Sequence, residues 1–423
     1  MTGWTVAIVG AGQGGYQAAA SLREGGFAGR VVLIGDEPEL PYQRPPLSKG
    51  YLTGEVARDG LWLRPRAFYA DHGVELLEGE RVAAIERAER RLRLASGATL
   101  AYDHLVLATG ARDRRLAVPG AELEGVLPLR TLADAERIRE RLHAAREIVV
   151  IGAGFIGLEL AAVAAGLGAR VHILEIGRRA MARAVSAEMS RFFAEAHAAR
   201  GTTILFGAGL ARITGAGGRV TGVETGDGLR LPADLVFVGI GVAPNAELAA
   251  ASGLPVDNGI VVDEKLRTPD EAVSAIGDCA SYPSPFASGR RVRLESVQNA
   301  VDQGRCVAAR LAGRPAPSRS VPWFWSEQGD LRLQMAGLTA GHDIAVLRGD
   351  AAAGRFSVFC FEGSRLLGVE SVNSPADHMV ARRLLAAGAD LTPQQAADEG
   401  FDLKSHAVAS ARRNASPGGP AVA

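Results

Sequence analysis

The sequence predicts an α/β protein in which two similar units of alternating strands and helices are followed by a smaller α+β domain. Two observations carry this prediction. A short apolar strand, a glycine-rich turn and an alanine-rich helix follow one another twice, starting at Val6 and again at Ile148. Each copy continues into a second apolar strand that ends at an acid, Asp36 in the first copy and Glu175 in the second. Each unit therefore begins like a doubly wound parallel sheet.

The glycines of the two turns have the spacing that a pyrophosphate-binding turn requires. The first glycine makes the turn, the second lets the backbone approach the phosphates, and the third lets the helix pack on the strand. The acid about twenty residues later accepts the ribose hydroxyls. One such pattern is equally compatible with an ordinary strand-to-helix turn, whereas two copies predict two Rossmann-like dinucleotide-binding domains. The residues concerned are Gly10, Gly12, Gly14, Gly15, Asp36, Gly152, Gly154, Gly157 and Glu175.

The composition excludes several classes of protein. The 423 residues suffice for two or three domains, and 47 basic residues balance 47 acidic ones. A net charge of zero gives no indication of nucleic-acid or membrane binding. No apolar run reaches the roughly eighteen residues of a membrane span. Because the first strand begins by Thr5 or Val6, we expect no targeting segment and a cytoplasmic location.

Metal and thiol chemistry are also not expected. The three cysteines, Cys279, Cys306 and Cys360, are too far apart for a local metal knuckle or a vicinal redox disulfide. The eight histidines show no metal-ligand spacing. We therefore predict no metal site.

The order of the segments predicts four parts. Residues 1–111 form the first dinucleotide domain, and residues 245–320 complete it with a strand near Ala275 and a helix over residues 297–311. Residues 112–244 form the second dinucleotide domain, inserted in the first. Residues 321–410 form the α+β domain, and residues 411–423, rich in small residues and proline, form a flexible tail.

Local patterns refine the first domain and its boundary with the third. Alternating segments over residues 74–77, 82–85 and 91–94 predict a small antiparallel meander. Prolines exclude a helix until about Ser48, and Pro315, Pro317 and Pro322 mark the boundary that follows the first domain.

Eight motifs occur in a fixed order along the chain. They are the two glycine turns, Pro45-Pro-Leu-Ser-Lys49, Ala108-Thr-Gly110, Gly241-x-x-Pro-Asn245, Gly277-Asp278, Glu295-Ser-Val-Gln-Asn-Ala300 and Trp323-Phe-Trp-Ser326. This set resembles the FAD-dependent pyridine nucleotide-disulfide reductase superfamily. Within it the set is similar to the putidaredoxin reductase group, NADH-dependent ferredoxin reductases that feed bacterial haem-thiolate monooxygenases and ring-hydroxylating dioxygenases.

The resemblance implies that FAD binds the first glycine turn. It places Gly14 at the pyrophosphate, Asp36 on the adenosine ribose, and Arg44 and Lys49 along the flavin. Further FAD contacts implied by the resemblance are Val82, Ala108, Thr109, Gly110, Arg130, Gly277, Asp278 and Val297.

NADH would bind the second turn, with Glu175 on the adenosine ribose, Glu159 near the nicotinamide and Gly241 at the same site. The third domain would supply Trp325 to the flavin pocket. Lys49, Glu159 and Trp325 are thus the candidates nearest the reacting rings. A carboxylate such as Glu175 repels a 2′-phosphate and favours NADH over NADPH, although Arg178 and Arg179 follow it closely.

The residues alone are also compatible with purely structural roles. Asp278 would then form a turn, and Lys49 would be a solvated surface charge. Glu159 would stabilise the first turn of its helix, and Trp325 would be part of the core.

The resemblance implies hydride transfer from NADH to the flavin, then single-electron release to a 2Fe-2S ferredoxin with an acidic surface. Segment 42–45 lacks the cysteine that the superfamily's peroxidases and oxidases need. Two alternatives stay open: a rubredoxin reductase, and a redox-sensing flavoprotein whose reduction by NADH controls partner binding. We expect a monomer or weak dimer. Candidates for a basic docking surface are Arg290, Arg291, Arg293, Arg305 and Arg310.

Overall fold

The computed structural model describes residues 3–314 and 320–415, and the chain divides into two compact units. Unit 1 consists of Met1–Arg44, Ala57–Arg112 and Val242–Ser320, and unit 2 consists of Pro45–Val56, Asp113–Gly241 and Val321–Ala423. The short segment Pro45–Val56 belongs to unit 2 and divides the N-terminal part of unit 1 into two pieces. Unit 2 also contains both the inserted domain and the C-terminal domain.

The helices and strands alternate through both units. The helices are α1 (Gln13–Glu24), α2 (Gly50–Thr53), α3 (Arg66–Asp71), α4 (Leu132–Leu142), α5 (Phe155–Gly166), α6 (Ala187–Ala199), α7 (Glu247–Ala251), α8 (Val297–Leu311), α9 (Pro375–Ala386), α10 (Pro393–Ala397) and α11 (Leu403–Ala415). The strands are β1 (Thr5–Val9), β2 (Arg30–Ile34), β3 (Val74–Leu77), β4 (Val82–Glu86), β5 (Arg91–Leu94), β6 (Thr99–Ala101), β7 (His104–Leu107), β8 (Ala111–Asp113), β9 (Val126–Pro128), β10 (Glu147–Ile151), β11 (Arg170–Glu175), β12 (Thr202–Phe206), β13 (Leu210–Ala216), β14 (Arg219–Thr225), β15 (Arg230–Pro232), β16 (Leu235–Val238), β17 (Val242–Pro244), β18 (Ile260–Val261), β19 (Val273–Ala275), β20 (Ala280–Pro283), β21 (Arg291–Val292), β22 (Trp323–Gln328), β23 (Leu331–Gly337), β24 (Ile344–Asp350), β25 (Arg355–Glu362) and β26 (Arg365–Val372).

A parallel sheet forms the centre of unit 1, in the order β19-β7-β1-β2-β3. Of its inner strands, β7 is buried along its whole length, and β1 and β2 are buried except at their first residues, as expected for strands covered on both faces. The helix predicted over residues 297–311 is confirmed as α8. It packs on α1 at Gly304, where a Cβ would lie only 3.0 Å from the Gly14 carbonyl oxygen. A glycine at this position therefore lets α8 approach the helix of the first glycine turn closely.

Two local predictions are wrong, one in unit 1 and one at Pro45–Ser48 in unit 2. β3 pairs in parallel with β2 at the edge of the central sheet, and the antiparallel meander consists of β4, β5 and β6. An edge strand with one covered face shows the same alternation as a meander strand, so the pattern did not separate them. The chain also turns helical earlier than predicted. Pro45–Ser48 form a 3-10 turn, which the fixed φ of proline accommodates in a first turn.

Unit 2 contains two five-stranded sheets, and a smaller antiparallel sheet of β13, β14 and β15 also lies in it. The first is parallel, in the order β12-β11-β10-β16-β9. The second is antiparallel, in the order β22-β23-β26-β25-β24, and α9 packs on it through Ala381 and Leu384. Ser186 caps α6, because its hydroxyl oxygen accepts the Met189 N–H at 3.2 Å. This cap fixes where the segment after β11 becomes helical.

The end of the chain differs from the prediction. α11 continues to Ala415, so the predicted tail does not begin at residue 411; helix-forming residues of the alanine and arginine type extend the helix. Residues 416–423 of that tail and the predicted boundary prolines at 315 and 317 lie outside the described residues. Across residues 3–314 and 320–415, no helix combines the length and apolarity needed to cross a membrane.

Candidate functional site

The first glycine turn, between β1 and α1, has the geometry of a phosphate cradle. Gly10 has a φ of +110°, and a Cβ there would lie 2.1 Å from the Ala108 carbonyl oxygen. A Cβ at Gly15 would lie 1.9 Å from the Gly10 carbonyl oxygen. Gly12 differs, because no described heavy atom lies within 4 Å of the Cβ it would carry. The N-terminus of α1 is therefore open to an anion at Gly12.

The second glycine turn, between β10 and α5, repeats this geometry in unit 2. Gly152 has a φ of +99°, and its Cβ would lie 2.5 Å from the Gly239 carbonyl oxygen. A Cβ at Gly157 would lie 2.1 Å from the Gly152 carbonyl oxygen, whereas one at Gly154 would meet only the Gly239 oxygen, at 3.8 Å. Neither Gly12 nor Gly154 provides a side-chain cap to its helix. Each unit thus presents one cradle, and both fit a pyrophosphate.

An unpartnered amide lies near the first cradle. Gly277 has a φ of +74°, and its N–H donates to Gln303 Oε1 at 2.7 Å. Gln303 is 1% exposed, and its Nε2 has no hydrogen-bond partner among the described residues. A buried donor without an acceptor costs free energy, so this site fits a polar ligand such as a ribityl chain or a phosphate. The sequence did not predict Gln303, although it lies three residues beyond the motif that ends at Ala300.

Arg44 belongs to a charged cluster in unit 1. Its guanidinium pairs with the Glu37 carboxylate at 2.5 Å and donates to the Tyr42 hydroxyl oxygen at 3.0 Å. Burial by itself lowers the pKa of Arg44, and Tyr42, Glu37 and Asp278 outweigh it, so the pKa lies above its ordinary value. Arg44 therefore lies in a cluster with Glu37 and Tyr42.

The other predicted FAD ligands occupy a variety of positions. Asp36 is exposed directly after β2, Val82 is buried at the start of β4, and Val297 begins α8. Ala108, Thr109 and Gly110 follow β7, where the Thr109 hydroxyl donates to the Asn245 carbonyl oxygen at 2.6 Å. Arg130 lies in unit 2, and its backbone N–H donates to Asp134.

Glu159 is the centre of a buried network in unit 2. Its carboxylate is 2% exposed and pairs with the Lys49 ammonium at 2.6 Å. The hydroxyls of Ser48 and Ser326 also donate to it, at 2.5 Å and 2.7 Å. Glu159 is the fifth residue of α5, one position beyond the first turn, so a simple helix-dipole role does not explain it. The segment around Lys49 belongs to unit 2 through this pair.

The network continues along β22. Gln328 donates to the Ser326 hydroxyl oxygen at 3.3 Å and lies 2.8 Å from His197 Nε2 on α6. Burial lowers the pKa of His197. Ser326 and Gln328 share one face of the strand because side chains alternate. The sequence motif contained Ser326, but nothing in it pointed to Gln328 or His197 as its neighbours.

Trp325 lies on the opposite face of β22 from Ser326. Its ring packs against Trp323, with centroids 5.5 Å apart and ring planes at 33°. Phe324, on the Ser326 face, contacts Phe155 at the start of α5, with centroids 4.6 Å apart. β22 therefore joins the C-terminal sheet to the helix of the second cradle.

Glu175 braces the second glycine turn. Its two carboxylate oxygens accept the Ala153 and Gly177 N–H groups, each at 2.7 Å. Gly241 has a φ of +89° and lies after β16, where a Cβ would lie 3.1 Å from Arg183 Nη2. The predicted ribose ligand and Gly241 thus both border the second cradle.

The three cysteines are buried, and burial raises the pKa of Cys279 and Cys360. In residues 3–314 and 320–415, no group of three His, Cys, Asp or Glu side chains could hold a metal ion.

Comparison with protein families decides the class. The family described as pyridine nucleotide-disulphide oxidoreductase matches residues 4–304, and the one described as reductase C-terminal matches residues 323–407. The chain belongs to the pyridine nucleotide-disulphide oxidoreductase family. It is therefore an oxidoreductase of a family that binds FAD.

Individual relatives agree with this assignment. The chain is 56% identical over 400 residues to rhodocoxin reductase of Rhodococcus erythropolis, covering 95% of this chain and 93% of that one. It is similar to the crystal structure of the ferredoxin reductase for the CYP199A2 system from Rhodopseudomonas palustris, with 51% identity, a TM-score of 0.93 and coverage of 95% and 99%. It is also similar to the reductase in the covalent putidaredoxin reductase–putidaredoxin complex, with 40% identity, a TM-score of 0.94 and coverage of 97% and 99%. The resemblance and fold class predicted from the sequence are confirmed.

Proposed function

We propose that this chain is an FAD-dependent NADH:ferredoxin reductase that passes electrons one at a time to a 2Fe-2S ferredoxin serving a bacterial monooxygenase or dioxygenase. The observation that carries the proposal is the presence of two open glycine cradles, one in each unit. Rhodocoxin reductase and putidaredoxin reductase are named for protein electron acceptors, and putidaredoxin accompanies the latter in a solved structure.

When bound, FAD would supply the chemistry of hydride acceptance from NADH and single-electron release. In unit 1, the turn that contains Gly10, Gly12, Gly14 and Gly15 would hold the FAD pyrophosphate on the N-terminal amides of α1. Further FAD ligands proposed there are Asp36, Arg44, Val82, Ala108, Thr109, Gly110, Gly277, Asp278 and Val297, and Arg130 of unit 2 is proposed as another. The orphaned Gln303 amide adds a hydrogen-bond donor to that set.

In unit 2, Gly152, Gly154, Gly157 and Gly241 would hold the NADH pyrophosphate. We assign Glu159 and Lys49 to the nicotinamide end, because Glu159 lies on the helix that begins at this cradle. The ammonium of Lys49 is the cation that would favour an electron-rich flavin, while the buried carboxylate holds it in place. Trp325 is proposed as an aromatic wall of the flavin pocket.

An acidic ferredoxin surface and a basic docking surface remain part of the proposal. Four of the five candidate arginines have structural contacts. Arg290 donates to the Ala287 carbonyl oxygen at 3.2 Å, and Arg291 donates to the Val262 and Ser281 carbonyl oxygens. Arg310 donates to the Ser274 hydroxyl oxygen, and Arg293 pairs with Glu295 at 2.7 Å. The exposed Arg305 therefore becomes the preferred candidate. We also propose a cytoplasmic location and a monomer or weak dimer.

The proposal predicts that a 2Fe-2S ferredoxin accelerates cytochrome c reduction by the purified yellow protein. NADH and NADPH are compared as donors, and rubredoxin replaces ferredoxin in a parallel reaction. We expect fast reduction with NADH and ferredoxin, slowed by added salt because opposite charges steer the encounter. Rapid turnover of peroxide or a disulfide without any ferredoxin stimulation would overturn the assignment. Rapid flavin reduction with slow reoxidation by every acceptor would favour the redox-sensing alternative.

Glu175→Ala is expected to raise the KM for NADH more than the KM for NADPH. The carboxylate favours the two ribose hydroxyls and repels a 2′-phosphate. Because Glu175 also accepts the Ala153 N–H, its loss can raise both KM values. The ratio of the KM for NADH to the KM for NADPH is therefore the measurement that tests the ribose role. Glu195→Ala, at an exposed position on α6, is the matched control. Equal increases for both nucleotides would remove Glu175 from the ribose site.

A further inference from the structure

Glu370 on β26 is a buried carboxylate that neither cradle contains. Its residue is 0% exposed. One oxygen accepts the Ser186 N–H at 2.9 Å and the Thr339 hydroxyl at 2.9 Å, and the other accepts the Ser186 hydroxyl at 2.7 Å. Burial raises the pKa of Glu370, and the hydrogen bonds from Ser186 and Thr339 oppose that rise. A fully buried carboxylate is stable only where its oxygens accept hydrogen bonds.

The segment that Glu370 holds is residues 176–186, here called the nucleotide loop, which connects β11 to α6. The loop ends at Ser186, the N-cap of α6, so the Glu370 carboxylate also lies at the positive end of that helix. Thr339 reaches the same loop, and its hydroxyl lies 3.3 Å from the Ala184 carbonyl oxygen. Two residues of the C-terminal domain thus fix the end of the nucleotide loop.

The start and middle of the nucleotide loop border the second cradle. The Met181 N–H donates to the Ala153 carbonyl oxygen at 2.9 Å, within the glycine turn itself. The Gly177 N–H donates to Glu175, and Arg183 lies beside Gly241. A shift of the loop would therefore move backbone and side chains on both sides of the cradle.

The loop requires an external restraint. Met181 has a φ of +49°, a left-handed conformation that is unfavourable for a side chain of this size. Such a conformation persists only where its surroundings impose it. Met181 is 6% exposed, and Gln328 of β22 lies 3.8 Å from its sulfur. The C-terminal domain therefore contacts the nucleotide loop at Met181, at Ala184 and at Ser186.

We propose that Glu370 is a positioning residue for the pyridine nucleotide, acting through Ser186 to keep the nucleotide loop in the conformation that the second cradle needs. This inference rests on the proposed function only in taking NADH as the ligand of the second cradle. It gives the C-terminal domain a role in the NADH half of the reaction, separate from electron delivery to the protein acceptor. Glu370 itself touches neither substrate nor cofactor.

Glu370→Ala tests this role. The variant leaves the buried Ser186 N–H without its acceptor, and the loop is expected to loosen. We expect the Kd of NAD⁺, measured calorimetrically on the yellow protein, and the KM for NADH to rise about tenfold, the equivalent of about 1.4 kcal/mol for an unsatisfied buried donor. Trypsin should cut the variant faster than the wild type after Arg178, Arg179 or Arg183. NAD⁺ should protect these sites from cleavage less well than it does in the wild type. Oxidation of dithionite-reduced protein by ferredoxin should keep its wild-type rate.

Two further variants complete the design. Thr339→Val keeps the volume but removes one donor to Glu370, and should raise the Kd and the cleavage rate in the same direction by a smaller factor. It decides the question if Glu370→Ala does not fold. Ser357→Ala is the matched control, because Ser357 is buried in the same domain but bonds to Ser371 and Asp377 instead of the loop. It should leave the Kd of NAD⁺ unchanged.

An unchanged Kd and cleavage rate in the folded variants would overturn the proposal. Equal losses of NAD⁺ affinity in Glu370→Ala and Ser357→Ala would also overturn the proposal, since they would show a loss of domain stability alone. If wild-type protein binds NAD⁺ and is reduced by NADH but reduces no ferredoxin, the proposed acceptor is wrong and the loop inference stands on its own measurements.

Discussion

Gly12→Asp is expected to give a folded protein that purifies without yellow colour. The Cβ of the new side chain has open space, since no described heavy atom lies within 4 Å of it, so the turn itself is not strained. The carboxylate, however, would stand where the proposed FAD pyrophosphate meets the N-terminus of α1. Two like charges about 4 Å apart repel by about 4 kcal/mol at an effective dielectric constant of 20. FAD retention should therefore fall roughly a thousandfold.

The measurements are the ratio of flavin to protein absorbance and the melting temperature of the protein reconstituted with excess FAD. Gly154→Asp is the matched variant in the second cradle, where a Cβ would meet only the Gly239 oxygen at 3.8 Å. It should purify yellow, be reduced normally by dithionite and fail to be reduced by NADH. If Gly12→Asp retained FAD while Gly154→Asp lost it, the assignment of the two dinucleotides to the two cradles would be reversed.

The parts of this fold that the sequence predicted are those that local chemistry determines. Gly10 and Gly152 have a positive φ, and a Cβ at Gly15 or Gly157 would meet the carbonyl oxygen of the first glycine of its own turn. These requirements for glycine arise within one turn, so they are visible in a short motif. The helix over Val297–Leu311 was predictable because Ser296 caps it and its apolar residues recur at helical spacing. β3 was assigned to the wrong sheet, because period-two alternation shows that one face is covered but does not identify the neighbouring strand.

The candidate site was predictable residue by residue but not as an arrangement. Lys49 and Glu159 were both singled out, yet the pair they form spans 110 positions in the chain, and no local pattern records it. The same holds for the contact of Ser326 with Glu159 and of Ser186 with Glu370. Buried polar networks of this kind depend on which elements pack together. A single sequence shows only that polar residues occur within apolar surroundings.

Lys49→Met is expected to lower the melting temperature of the protein and to slow flavin reduction by NADH. The substitution keeps the length of the side chain but leaves the Glu159 carboxylate, which is 2% exposed, without its cation. Removing one partner of a buried pair typically costs about 3 kcal/mol, because the remaining charge is uncompensated. A loss of that size should lower the melting temperature by roughly 5 °C or more.

The double variant Lys49→Met/Glu159→Gln separates stability from chemistry. The neutral amide removes the uncompensated charge and can still bond to both serine hydroxyls, its oxygen accepting from one and its NH2 donating to the other. The melting temperature should therefore return close to that of the wild type. Flavin reduction, followed as the loss of flavin absorbance after mixing with NADH, should stay about a hundredfold slower in both variants, because the ammonium that favours electron-rich flavin is absent from both. Recovery of the reduction rate together with the melting temperature would show that the pair only supports the fold. A slow rate in a stable protein would show that the Lys49–Glu159 pair acts in hydride transfer and does more than support the fold.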